Sequence, residues 1–215
     1  MRTYISPIGY DSRRVTRPIL SNGLDEGDQI ILLRPNTEND DQRARSAIRD
    51  VTDLLEEIEP DVQFDKEEIT YDDLSSAALE CSDILQAADG DLVVALTGGA
   101  REILIPFALA SFIHAPRIHQ TLTFSDVDQR VREWSLPVLQ AHVPRKAHQT
   151  LAVIAEADAP LSMSDLTEQI EQSKSTATRH VETLAENEVV TTFRDGKTKY
   201  AEITFTGELL LRAGA

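Results

Sequence analysis

Two short stretches carry residue types that could receive an anion. Residues 95–103 read ALTGGAREI and follow the apolar run DLVVA, so a strand ends in Thr97-Gly98-Gly99 and passes into a helical pattern with Arg101 in its first turn. Glycines at such a turn remove side chains, so backbone N–H groups at a helix N-terminus can approach a ligand where the helix dipole favours negative charge. The second stretch, SPIGYDSRR over residues 6–14, follows another apolar run. There Gly9 allows a close turn, Asp11 or Ser12 can cap the next helix, and Arg13, Arg14 and Arg17 add positive charge. Neither stretch has the glycine and lysine spacing of a dinucleotide fingerprint or a P-loop. Taken without context, paired glycines between strand and helix can be turn chemistry alone, and Arg101 can be a solvated helix residue.

The elements that must position these stretches alternate in type. Apolar runs suggest strands at 3–8, 29–33, 62–69, 92–96 and 118–124, with 130–134 a shorter, edge-like candidate. Helical stretches lie between them at 12–22, 41–58, 71–88 and 100–113, and Asp72-Asp73 reads as helix-start chemistry. Such alternation predicts an α/β fold, a Rossmann-like and mostly parallel sheet with helices on both faces. Ligands of open parallel sheets sit at the carboxyl ends of the strands, and both stretches fall on that edge.

Beyond residue 145 the pattern changes. Helices are expected at 146–158, 162–170 and 176–188, with the polar turn EQSKS before the third, and strands 189–193 and 197–204 flank Asp195-Gly196, a strong hairpin signal. Three helices and a two-stranded wing describe a small winged helix-turn-helix domain, whose second turn helix enters the major groove of double-stranded DNA. Its polar candidates are Ser173, Lys174, Ser175, Thr176, Thr178, Arg179 and His180, opposite an apolar face of Ala177, Val181 and Leu184. A packed or solvated role fits His180 equally well. Arg194, Lys197 and Lys199 would flank the wing and meet phosphate. The expected division is a sensor over 1–136, a linker over 137–146 that contains SLPVLQAHVP in part, and a DNA reader over 147–215.

Charge and composition narrow the classes. The chain of 215 residues carries 37 acidic and 21 basic residues, a net of −16, and only five of its basic residues are Lys. Residues 142–215 hold 11 acidic and 8 basic residues, a net of −3, which leaves 26 and 13, a net of −13, for the rest. Four of the five Lys lie in that C-terminal part, which favours a DNA role over a winged helix used only for protein contacts. An acidic chain so poor in Lys resembles proteins of salt-loving archaea, so the net charge does not exclude nucleic acid. A single Cys81 rules out a disulfide framework, and its place in a helical stretch suits a buried filler. With no signal peptide and no long apolar run, a cytoplasmic protein without a membrane partner is expected. The five His, at 114, 119, 142, 148 and 180, and the single Cys fall in no hydrolase or metal-ligand spacing, so no enzyme, cofactor or metal is expected.

Together TYISPIGYDSRRVTRPILSNGLDEGDQIILLRP, LVVALTGGAREI and the winged helix resemble the archaeal CRISPR-associated regulators that join a CARF domain (CRISPR-associated Rossmann fold) to a helix-turn-helix. The I-G-Y-D turn and the T-G-G-x-R-E turn are its most specific pieces. The resemblance implies a homodimer, formed mainly through residues 1–135, that binds a cyclic oligoadenylate across its symmetry axis. It places phosphate contacts on Thr97, Gly98, Gly99 and Arg101, with Ile8, Gly9, Tyr10 and Asp11 as the other wall. The expected function is a ligand-responsive, DNA-binding transcriptional regulator of CRISPR-associated genes. Two alternatives stay open, a ring nuclease that cleaves the ligand and a ligand-free dimerisation module. On this reading a Gly99→Val chain still folds and merely excludes the ligand.

Overall fold

The computed structural model describes residues 1–37 and 41–214, so Ala215, the last residue of the expected reader domain, lies outside the described residues. The chain divides into two compact units, Met1–Leu136 and Pro137–Ala215.

The first unit is built on strands β1 (Arg2–Pro7), β2 (Gln29–Pro35), β3 (Gln63–Ile69), β4 (Asp91–Ala95), β5 (Ile118–Phe124) and β6 (Val131–Glu133), in spatial order β3-β2-β1-β4-β5-β6. Five strands pair in parallel, and the three-residue β6 closes one edge antiparallel to β5. Alternate residues of the central strands serve opposite faces. Tyr4, Ile30, Leu32 and Val93 pack with Val15 and Ile19 of helix α1 (Arg13–Asn22) and with Val51 and Leu55 of α2 (Gln42–Ile58). Ile5, Ile31, Leu33 and Val94 pack with Ala77, Cys81 and Leu85 of α3 (Leu74–Ala87) and with Ile103 and Phe107 of α4 (Arg101–Ile113). A sheet covered on both faces needs apolar residues at nearly every position of its inner strands, which is why β1, β2 and β4 read as continuous apolar runs. The expected fold class is thus the observed one.

Differences lie at the element ends. Helix α3 begins at Leu74 rather than Tyr71, because Asp73 is its cap and accepts the Ser76 N–H at 2.7 Å. Cys81 is fully buried between α3 and the sheet, and burial pushes its thiol up to about 12, so no thiolate forms there at neutral pH. At the amino ends of the strands, the carboxylate of buried Asp28 accepts the Arg2 backbone N–H at 2.7 Å, the Arg2 Nε at 3.0 Å and the Asp25 N–H at 3.0 Å.

The second unit contains α5 (His148–Glu156), preceded by a 3-10 turn at Arg145–Ala147, then β7 (Leu161–Ser162), α6 (Met163–Gln169), α7 (Lys174–Glu186), β8 (Val190–Asp195), β9 (Thr198–Ile203) and α8 (Phe205–Ala213). Leu151, Ile154, Leu166, Ala177, Val181, Leu184 and Val190 share its core. The strands form a small antiparallel sheet in the order β7-β9-β8. Helix α8 and the short β7 are additions to the expected three helices and hairpin. Gly207, in the first turn of α8, permits this packing, since a Cβ there would stand 2.2 Å from the Val189 carbonyl oxygen. No helix among the described residues is long and apolar enough to cross a membrane.

Candidate functional site

Strand order decides where a ligand could lie in the first unit. The chain leaves β1 toward β2 on one side, and β4 pairs with β1 on the other, so the order reverses between β1 and β4. The two connections that diverge there are the β1–α1 turn and the β4–α4 turn, which leave a crevice at the carboxyl edge. A cleft of about 880 Å³ opens at that place. Ile8, Gly9, Tyr10 and Asp11 line it from the first turn, and Gly98, Gly99, Ala100 and Arg101 from the second.

The glycines explain how the turns come together. A Cβ on Gly9 would stand 3.3 Å from both Cα and N of Gly99, so the two backbones are in direct contact. Gly98 and Gly99 have φ of 72° and 70°, in the left-handed region where a Cβ is strained. A Cβ on Gly99 would also lie 2.5 Å from Cβ of Pro7. This corrects the expectation that Gly99→Val folds unchanged, because the turn packs against β1 as well as facing the cleft.

Of the eight expected ligand residues, seven line the cleft and Thr97 does not. Thr97 is buried and its hydroxyl donates to the Phe124 carbonyl at 3.3 Å, so the expected phosphate contact there is corrected to a bond that holds β4 to β5. Asp11 faces the cleft with its carboxylate engaged. It accepts from Arg13 Nε at 2.9 Å and from the Arg13 N–H at 3.2 Å, and the Arg13 bond holds it below the usual carboxylate range. Asp11 rather than Ser12 thereby caps the start of α1, where Ser12 makes no capping bond.

The β2–α2 connection adds a third wall that sequence reasoning missed, with Arg34, Pro35, Thr37, Asp41, Ala44, Arg45 and Ile48. Nothing in the local sequence shows that β2 lies beside β1, which is what brings this wall to the cleft. Arg14 pairs with Asp126 at 2.7 Å and Arg34 pairs with Glu68. Arg101 is exposed and has no hydrogen bond or ion pair among the described residues. It stands at the start of α4, where the cap residue Ala100 offers the first helical amides no side-chain acceptor. An unpaired guanidinium beside uncapped amides of a helix N-terminus suits an anionic group. Four arginines and three aspartates line the cleft, and with Glu68 on Arg34 the charges balance in a chain of net −16.

Tyr10 stands at the rim with 60 % of its surface exposed. The Arg43 guanidinium lies over its ring, 4.7 Å from the centroid, and its hydroxyl is beside Asp41. The Tyr10 hydroxyl is the main cause that holds the Asp41 carboxyl below its ordinary range.

The second unit presents a separate surface. Ser173 caps α7 by accepting the Thr176 N–H at 3.2 Å, so the helix begins at Lys174 and takes in two residues expected in the turn. Lys174, Ser175 and Arg179 are exposed and Thr176 and Thr178 are half-buried on its polar side. His180 is not on that side. It is buried beside Ala177, Val181 and Leu184, with Nδ1 2.9 Å from the Thr150 hydroxyl, which corrects its assignment to DNA. Burial first, then the charges of Arg179 and Lys146, hold its pKa below the usual histidine value. In the hairpin Arg194 is opposite Lys199 on one face, and Phe193 stacks on Tyr200 on the other, with centroids 5.5 Å apart. Arg194 and Lys197 are exposed and Lys199 is half-buried.

Among the described residues no group of three or more His, Cys, Asp or Glu is placed to hold a metal. His114 Nε2 lies 2.8 Å from the Ser82 hydroxyl, a pair the sequence spacing did not suggest, and neither residue lines the cleft.

Residues 2–121 match the Csa3 CRISPR-associated Rossmann-like domain, and residues 145–192 match the IclR helix-turn-helix domain. No curated protein matches the chain. Among solved structures, Enterococcus italicus Csm6 bound to cyclic hexa-2'-fluoro-hexa-dAMP is similar at a TM-score of 0.50 and 10% identity, over 87% of this chain and 53% of that one. Can2 from Sulfobacillus thermosulfidooxidans in complex with cyclic tetra-adenylate gives a TM-score of 0.47 and 14% identity over 98% of this chain and 56% of its own. Reduced HlyU from Vibrio cholerae gives 0.29 and 26% identity over 35% of this chain and 83% of its own. The chain thus spans about half the length of Csm6 and Can2. The likeness to Csm6 is one of fold.

Proposed function

The chain belongs to the family of the Csa3 CRISPR-associated Rossmann-like domain, and on that premise we propose that it is a ligand-responsive transcriptional regulator of CRISPR-associated genes. In this reading residues 1–136 sense a cyclic oligoadenylate and form a homodimer, and residues 147–215 read double-stranded DNA. The observation that carries it is the meeting of two glycine turns at the strand-order reversal, where Arg101 lines the cleft at the start of α4 and Ala100 gives that helix no side-chain cap. Csm6, of similar fold, is bound in its structure to a ligand of the proposed class. The cleft has the volume of a small-molecule site and is far from filled by its own side chains. Ile8, Gly9, Tyr10, Asp11, Gly98, Gly99 and Arg101 are its proposed ligand residues.

The reading head is proposed on Lys174, Ser175, Thr176, Thr178 and Arg179, with Ser173 as cap and Arg194, Lys197 and Lys199 on phosphate. We expect Lys174→Ala and Arg179→Ala each to weaken operator binding by about 1–3 kcal/mol where the side chain reads a base. Fluorescence anisotropy with an operator selected from random duplexes checks this. Unchanged affinity in both variants would move the reading head to the wing.

A further inference from the structure

The proposed ligand chemistry accounts for an anion at Arg101 and places Tyr10 in the wall without saying which part of the ligand it meets. An aromatic ring that contributes only to stability is normally buried, whereas Tyr10 keeps 60 % of its surface exposed on the border of the cleft. Two partners hold it there. Arg43 covers part of the ring from 4.7 Å, and the Asp41 carboxylate stands beside the hydroxyl. Both partners come from the start of α2, so the ring is pinned between two elements before any ligand arrives.

We infer that Tyr10 is the base shelf of the site, a flat surface on which a nucleobase of the bound nucleotide stacks while its phosphate is held at Arg101. The inference rests on the proposed ligand class and adds which residue the base stacks on. Stacking on an aromatic needs an accessible π face, and with Arg43 over its ring Tyr10 still keeps 60 % of its surface exposed. Phosphate contacts reach only the backbone of a nucleotide, so Gly98, Gly99 and Arg101 leave its base unheld. Tyr10 is the one aromatic residue that lines the cleft among the described residues, which makes it the position where a base can stack, whatever its identity.

The test uses the full chain, with cyclic tetra-adenylate and cyclic hexa-adenylate as probes and a 2-aminopurine-substituted copy of whichever binds. Tyr10→Ala is expected to lose about 5-fold to 150-fold in affinity by calorimetry. Tyr10→Phe and Tyr10→Trp keep a ring and should stay close to wild type. The 2-aminopurine fluorescence should be quenched by wild type, Tyr10→Phe and Tyr10→Trp, and remain bright with Tyr10→Ala at saturation. If wild type binds and Tyr10→Ala binds as tightly with the same quenching, the shelf is overturned and the ligand reading stands. If wild type binds neither ring, both are overturned.

Discussion

Replacing Arg2 by Ala should cost the first unit about 3–5 kcal/mol, the cost of leaving a buried charge without its partner. Asp28 is 1 % exposed, and the Arg2 guanidinium meets its carboxylate through Nε at 3.0 Å. The same guanidinium holds Asp25 at 2.6 Å and donates to the Asn22 carbonyl at 3.0 Å, so one side chain ties β1 to the loop that precedes β2. Denaturant unfolding at neutral pH measures the loss, and a change under about 1 kcal/mol would show that the pair does not stabilise the fold. The pH dependence has a definite sign. Burial raises the pKa of Asp28, and the amides of Arg2 and Asp25 together with the guanidinium more than reverse this, so its folded value lies below its ordinary one. Its stabilisation is therefore complete above the unfolded value of about 3.9 and is lost as pH falls through the lower folded value. In Arg2→Ala the folded value moves up, so acid unfolding should begin at higher pH.

Gly99→Val should lower stability by about 2–5 kcal/mol, from a left-handed backbone costing roughly 1–2 and from overpacking costing roughly 1–3. The φ of 70° is one cause, and the 2.5 Å approach to Pro7 Cβ is the other. Thermal unfolding of the full chain checks it; a melting temperature equal to that of wild type would mean that the turn moves aside freely. A loss of ligand binding in this variant reports a damaged turn, so Arg101→Ala is the cleaner probe of the same site. The Arg101 side chain is exposed and makes no hydrogen bond or ion pair among the described residues, so Arg101→Ala is expected to leave the fold intact.

These two positions also mark what the sequence could and could not tell. Strand residues of β1, β2 and β4 were legible because a sheet buried on both faces writes itself as unbroken apolar runs, and residues 118–124 were bounded as β5 is. The glycine turns were legible as turns, since Gly98-Gly99 lies between a strand and a helical pattern. Their packing was not, because the contact of Gly99 with Pro7 joins residues 92 positions apart and depends on the pairing of β1 with β4. The pairing of β1 with β2 hid Arg34, Asp41 and Arg45 in the same way. Thr97 and His180 share a different cause. Both are polar residues of a promising stretch whose hydrogen bonds, to Phe124 and Thr150, turn them into the core. Helix α8 was missed because Thr204 reads as the end of a strand, whereas it caps the helix by accepting the Gly207 N–H at 3.1 Å.

The central claim is that occupation of the cleft changes how the chain binds DNA, and a ligand can do so only if it binds two conformations unequally. The direct measurement is operator affinity for wild type and Arg101→Ala, each titrated with cyclic tetra-adenylate and with cyclic hexa-adenylate. Wild type should change its operator dissociation constant by about 5-fold to 150-fold at saturation with one of the two rings. Arg101→Ala should match wild type without ligand and need about 10-fold to 150-fold more of it to respond, the loss of a charge-assisted contact worth about 1.5–3 kcal/mol. An operator affinity of wild type unmoved by either ring, or an Arg101→Ala response at the same ligand concentration as wild type, would contradict the account.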